Sequence, residues 1–129
     1  WIGYSFQRRI SFVNDLRQFW PDLVEAVQRT VEYLRRDEGD LREFERTLTA
    51  LRSRIDDARA LFRRSSATDS GSGKYPYEGI TRIHDLLKDF GYRDAPPAEE
   101  AKQVRSEIVA EWQRVRGQIL REFDRANVD

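Results

Sequence analysis

The sequence predicts an all-α protein, an antiparallel helical bundle of three long helices and one short one. Three observations carry that prediction. Apolar residues recur at steps of three and four along separate stretches, the spacing that places them on one face of a helix. No strand-length window alternates apolar with polar residues, and no Asn-Gly turn joins β-branched runs. The stretches are separated by segments rich in Gly, Pro or small polar residues, which punctuate helices.

The first stretch runs through Phe6, Ile10, Val13, Leu16, Trp20, Val24, Val27, Val31 and Leu34, with Ser5 as a candidate cap. Pro21 falls inside it. Proline removes a backbone donor and disfavours α geometry at the residue before it, so a kink or a break is expected between Phe19 and Asp22. The apolar phase nevertheless continues, since Val13, Trp20, Val27 and Leu34 follow at seven-residue intervals, which favours one kinked helix or two nearly collinear ones. Arg36 to Asp40 then reads as a turn, with Gly39 suited to a left-handed residue after the helix. Asp40 is suited to cap the next helix, with Glu43 at its third position.

The second helix carries the most regular pattern, with Leu41, Phe44, Leu48, Leu51, Ile55, Ala58 and Phe62 in alternating three- and four-residue steps to about Arg64. Residues 65–75, Ser-Ser-Ala-Thr-Asp-Ser-Gly-Ser-Gly-Lys-Tyr, are small and polar apart from the last, and read as a flexible loop. Pro76 suits an early helical position. Ile80, Ile83, Leu87 and Phe90, widened by Leu86, form a short amphipathic helix that Gly91 stops. After the rigid turn from Tyr92 to Pro97, Glu99 and Glu100 suit the first turn of a last helix. That helix presents Ala101, Val104, Ile108, Trp112, Val115, Ile119 and Phe123, with Glu111 facing away, and ends near Ala126.

Composition limits what such a bundle does. A chain of 129 residues fits one domain, 1–129. Thirty-six per cent charged residues is high, but the 12% aromatic content separates the chain from disordered sequences. Lys plus Arg and Asp plus Glu both number 23, so no global field draws it to nucleic acid. All but Lys74, Lys88 and Lys102 of the basic residues are Arg, which points to a GC-rich, bacterial genome. The lack of Cys excludes disulfides and thiolate metal sites and favours the cytoplasm. With no Met, the chain reads as a fragment of a larger protein.

No catalytic constellation emerges. Gly71-Ser72-Gly73-Lys74 has the tail of a phosphate-binding loop, but Thr68 stands where that loop needs Gly and Tyr75 where it needs Ser or Thr. His84 is the one histidine, too few for a carboxylate-bridged di-iron bundle or a two-histidine zinc motif. Beside Ile83 on a short helix, it is expected to be half exposed, and an enzyme using it as a base would need a nucleophile and an orienting group. Asp56 with Asp57, and Glu99 with Glu100, diverge by about 100° on a helix and share no ligand easily. No cofactor or metal is expected. Arg35, Arg36, Arg63 and Arg64 complement helix C-termini.

The residues left over are aromatic and basic. Trp1, Tyr4 and Phe6 precede Arg8 and Arg9, the order found where a membrane helix leaves the bilayer into the cytoplasm. The same aromatics also suit the open end of a bundle core. Tyr75 and Tyr77, in Tyr-Pro-Tyr-Glu-Gly, mark a turn that docks on the bundle or on a partner. These seven residues are the expected interaction residues. The chain is read as a non-catalytic protein-interaction or assembly module that pairs with a protein partner or with itself. The alternative is a membrane-proximal cytoplasmic domain of a sensor or effector, held at the inner face of a membrane by a segment upstream of Trp1.

Overall fold

The computed structural model describes residues 2–64 and 76–128, with side chains over 10–62 and 77–124. Four helices pack against one another: α1 (Ile2–Tyr33), α2 (Leu41–Arg64), α3 (Pro76–Phe90) and α4 (Ala98–Val128). They are 32, 24, 15 and 31 residues long, and no strand occurs among the described residues.

Of the alternatives at Pro21, a break is excluded: α1 is one helix from Ile2 to Tyr33 with the proline inside. Pro21 is solvent-exposed. The carbonyl deprived of its donor, that of Arg17, therefore lies on the water side, while Leu16, Phe19 and Leu23 hold the buried side in place.

The buried face of α1 is also rotated from the one read in the sequence. Leu16, Phe19, Leu23, Ala26, Val27, Thr30 and Tyr33 are buried, whereas Val13, Trp20, Val24 and Val31 are half-buried and Ile10 is 45% exposed. A seven-residue repeat drifts about 20° per heptad around a straight α-helix. The set Val13, Trp20, Val27, Leu34 follows that drift: its first two members lie at the edge of the core, and its last two are 2% exposed.

Helix α2 keeps its predicted seam, with every member from Phe44 to Phe62 buried; only Leu41, at the open start, is exposed. Asp40 caps it, accepting from the Glu43 N–H at 3.1 Å. The Glu43 carboxylate turns away from the cap to meet Arg29 on α1 at 3.1 Å. The buried hydroxyls of Thr30 and Thr47 donate to carbonyls four residues back, so neither is left unsatisfied.

Gly39 does not adopt the left-handed conformation expected of it; Gly91, at φ 75°, is the described residue that does. Gly39 serves close approach. A Cβ there would fall 2.0 Å from the Arg93 carbonyl oxygen, and its N–H donates to the Asp94 carbonyl at 2.7 Å. The α1–α2 and α3–α4 connections thus lock together. Arg93 reinforces the lock by forking onto Glu100 at 2.8 and 2.9 Å, and lies 4.5 Å from the Phe90 ring centroid. That pairing holds the Glu100 carboxyl below the usual carboxylate range. A hydrogen bond to Asp94 pushes the Tyr92 hydroxyl up to about 12.

Candidate interaction surface

The four helix–helix seams differ in what crosses them. Asp22 meets Arg54 at 3.0 Å between α1 and α2, where Phe12 lies edge-on to Phe62 and Tyr33 tilts against Phe44. Between α2 and α3, Arg52 reaches His84 and Arg59 lies 6.0 Å from the Tyr77 ring centroid. Helices α3 and α4 approach closely at Gly79, where a Cβ would sit 2.2 Å from Val115 Cγ2. Glu111 pairs across that seam with Arg82 at 4.0 Å. Glu111 was expected to face away, yet its side chain is only 12% exposed and points toward α3.

The α1–α4 seam is the sparsest of the four. Trp20 stacks on Trp112, with centroids 5.6 Å apart and planes at 25°, and both indoles stay half-exposed. Apolar residues line the seam's outer edge. On α1 these are Ile10, Val13, Trp20, Val24 and Val31. On α4, Val109 and Leu120 are 36% and 37% exposed and lie eleven residues apart, three turns, on the flank that carries Trp112 and Phe123. Three of the four large exposed hydrophobic side chains described therefore border one seam.

The charge along this edge has one sign. At about 100° per residue, the arc of α1 bearing Val13 and Trp20 includes Arg17, and the facing arc of α4 includes Lys102, Arg105 and Arg116. The nearby carboxylates, Glu25, Glu32 and Asp124, fall outside those arcs. Arg105 donates to the Leu34 carbonyl at 3.3 Å, whereas Arg17, Lys102 and Arg116 have no described carboxylate to pair with. The sequence reading missed Val109, Leu120 and this basic rim. Placing every residue of α4 on a helical wheel would have shown them as a second apolar band beside the core face.

Of the expected interaction residues, Tyr77 is described and packs half-buried against α2 beneath Arg59. The backbone of Tyr4, Phe6, Arg8 and Arg9 belongs to α1, but their side chains, together with Trp1 and Tyr75, lie outside the described residues. So do residues 65–75, the expected loop, including the glycines of the partial phosphate-loop motif.

His84 departs from its expected half-exposure, being 7% exposed and inside the α2–α3 contact. Arg52 Nε donates to Nε2 at 3.1 Å, so Nε2 is the acceptor and Nδ1 carries the hydrogen directed to Asp85 Oδ1 at 3.0 Å. With both ring nitrogens engaged, neither is available to a substrate. Among the described residues, no group of His, Asp and Glu is placed to hold a metal ion, and no helix is long and apolar enough to cross a membrane. Comparison with protein families, curated proteins and solved structures finds no match to this chain.

Proposed function

We propose that the chain is a non-catalytic protein–protein interaction or assembly module of a larger protein, built as an antiparallel bundle that docks its partner along the α1–α4 seam. The observation that carries this reading is the clustering of Ile10, Val109 and Leu120 beside the half-exposed Trp20–Trp112 stack. Scattered exposed apolar side chains are ordinary on a protein surface, but a contiguous band of them marks a binding site. Exposed Trp also supplies the large, rigid contact area that dominates interface energetics. The antiparallel arrangement is supported by α1–α2 contacts that pair Phe12 with Phe62 and Tyr33 with Phe44, early residues with late ones.

The reading is tested by placing a photo-crosslinking amino acid at Val109 of the full-length protein in its native host. Covalent capture of another polypeptide is expected from that position and not from Arg46, on the exposed face of α2. Equal capture from both, or from neither, would remove the seam as the docking surface.

A further inference from the structure

The chemistry of the partner follows from the rim of the seam, given that the seam is the docking surface. Its floor is a narrow apolar line between two helices, spanning about 32 Å from Ile10 to Val31 at 1.5 Å per residue. Its walls carry Arg17, Lys102, Arg105 and Arg116 and no carboxylate. Three of these cations have no described counter-charge, in a chain whose α1–α2 and α3–α4 seams are bridged by acid–base pairs. We propose that the partner is an acidic amphipathic α-helix of about 20 residues, laid along the seam with its apolar stripe on Trp20, Val24, Val109 and Leu120. Its Asp and Glu side chains, flanking that stripe, meet the Arg rim. Arg suits this role because its planar fork pairs bidentately with carboxylates and tolerates an interface.

Two other occupants fit less well. A second copy of the chain, docked seam to seam about a two-fold axis, would set one basic rim against the other, and juxtaposed like charges discriminate strongly against a partner. An anionic membrane surface shares the preference for Trp, apolar and basic residues. However, Ile10, Val109 and Leu120 are each less than half exposed, so none projects as a whole side chain into a bilayer.

The test is a display selection on the full-length protein, using helix-forming peptides of about 20 residues. Leu and Ala are fixed at every third and fourth position, and the flanking positions vary among Glu, Gln and Lys. The expected outcome is enrichment of Glu over Lys at the flanks. The enriched peptides should bind Arg17→Glu/Arg116→Glu protein at least about tenfold more weakly, with its helical spectrum unchanged. Enrichment of Lys, or no charge preference, in peptides that still lose binding to Leu120→Glu protein would overturn the acidic partner while leaving the seam as the docking surface. Selected peptides indifferent to Leu120→Glu and Val109→Glu would overturn both. Vesicles of phosphatidylcholine with phosphatidylglycerol that shift the tryptophan emission of the protein, where no peptide is enriched, would replace the helix by a membrane surface.

Discussion

At Gly79 helices α3 and α4 pack closely, and the cost of a methyl group added there follows from the contacts it would meet. In helix α3 a change from Gly to Ala restores helix propensity and should stabilise by about 1 kcal/mol. The same methyl would stand 2.2 Å from Val115 Cγ2, a side chain with no exposure, so one of the two helices must move. Overpacking of this kind costs about 1 to 3 kcal/mol. The net effect expected for Gly79→Ala is a loss of roughly 0 to 2 kcal/mol, the difference between those opposing effects. Val115→Ala alone should cost about 2 to 3 kcal/mol, from two buried methyl groups and the space they leave. In that background the clash partner is gone, so Gly79→Ala should reverse sign and stabilise by about 1 kcal/mol. The assay is urea unfolding of the four proteins followed by far-UV circular dichroism, read as midpoint shifts at constant slope. If Gly79→Ala had the same effect whether residue 115 is Val or Ala, the close approach of α3 to α4 would be wrong.

Other substitutions test the remaining elements. Leu51→Ala, in the fully buried centre of α2, should cost about 2 to 5 kcal/mol in the same urea assay, and a change within error would place that seam in solvent. Asp40→Ala removes the acceptor for the Glu43 N–H and should cost about 0.5 to 2 kcal/mol, whereas Asp40→Asn should stay close to the wild type. Because Arg93 holds the Glu100 carboxyl below its ordinary value, the pair's contribution is complete above the unfolded carboxylate pKa of about 4.3 and is lost as pH falls through the lower folded value. Glu100→Gln should therefore flatten the acid side of the stability–pH profile below that point; a profile parallel to the wild type would contradict the Arg93 fork.

The elements that the sequence foretold are those governed by local rules. The apolar period of α2, the Asp40 cap and the stop of α3 at Gly91 each depend on a few neighbouring residues, and each stands where its pattern placed it. Where tertiary contacts decide, the pattern was insufficient. Pro21 leaves a kink and a break both open until its exposure shows that the freed carbonyl faces water. Gly39 reads as a helix stop, although its role is to admit the Arg93 carbonyl from a connection more than fifty residues away. Glu111 and His84 sit beside apolar neighbours in sequence, and what draws them inward is Arg82 on α3 and Arg52 on α2, partners that periodicity on a single helix does not reveal. The α1–α4 seam was hidden for a related reason. Its apolar residues on α1 were counted as core because they share the helical period, and the heptad drift that lifts Val13 and Trp20 to the edge becomes visible only once the buried face is fixed.

Whether the α1–α4 seam binds a partner is decided by separating docking from folding. Val109→Glu/Leu120→Glu protein and Arg46→Glu protein are each isolated in full-length form from the native host, and the proteins retained with them are compared with those held by the wild type. Since Val109, Leu120 and Arg46 are all solvent-exposed, both variants are expected to keep the helical spectrum. The seam variant is expected to lose the proteins that the wild type retains, while the Arg46→Glu variant keeps them. Undiminished retention by the folded seam variant would contradict docking at the seam.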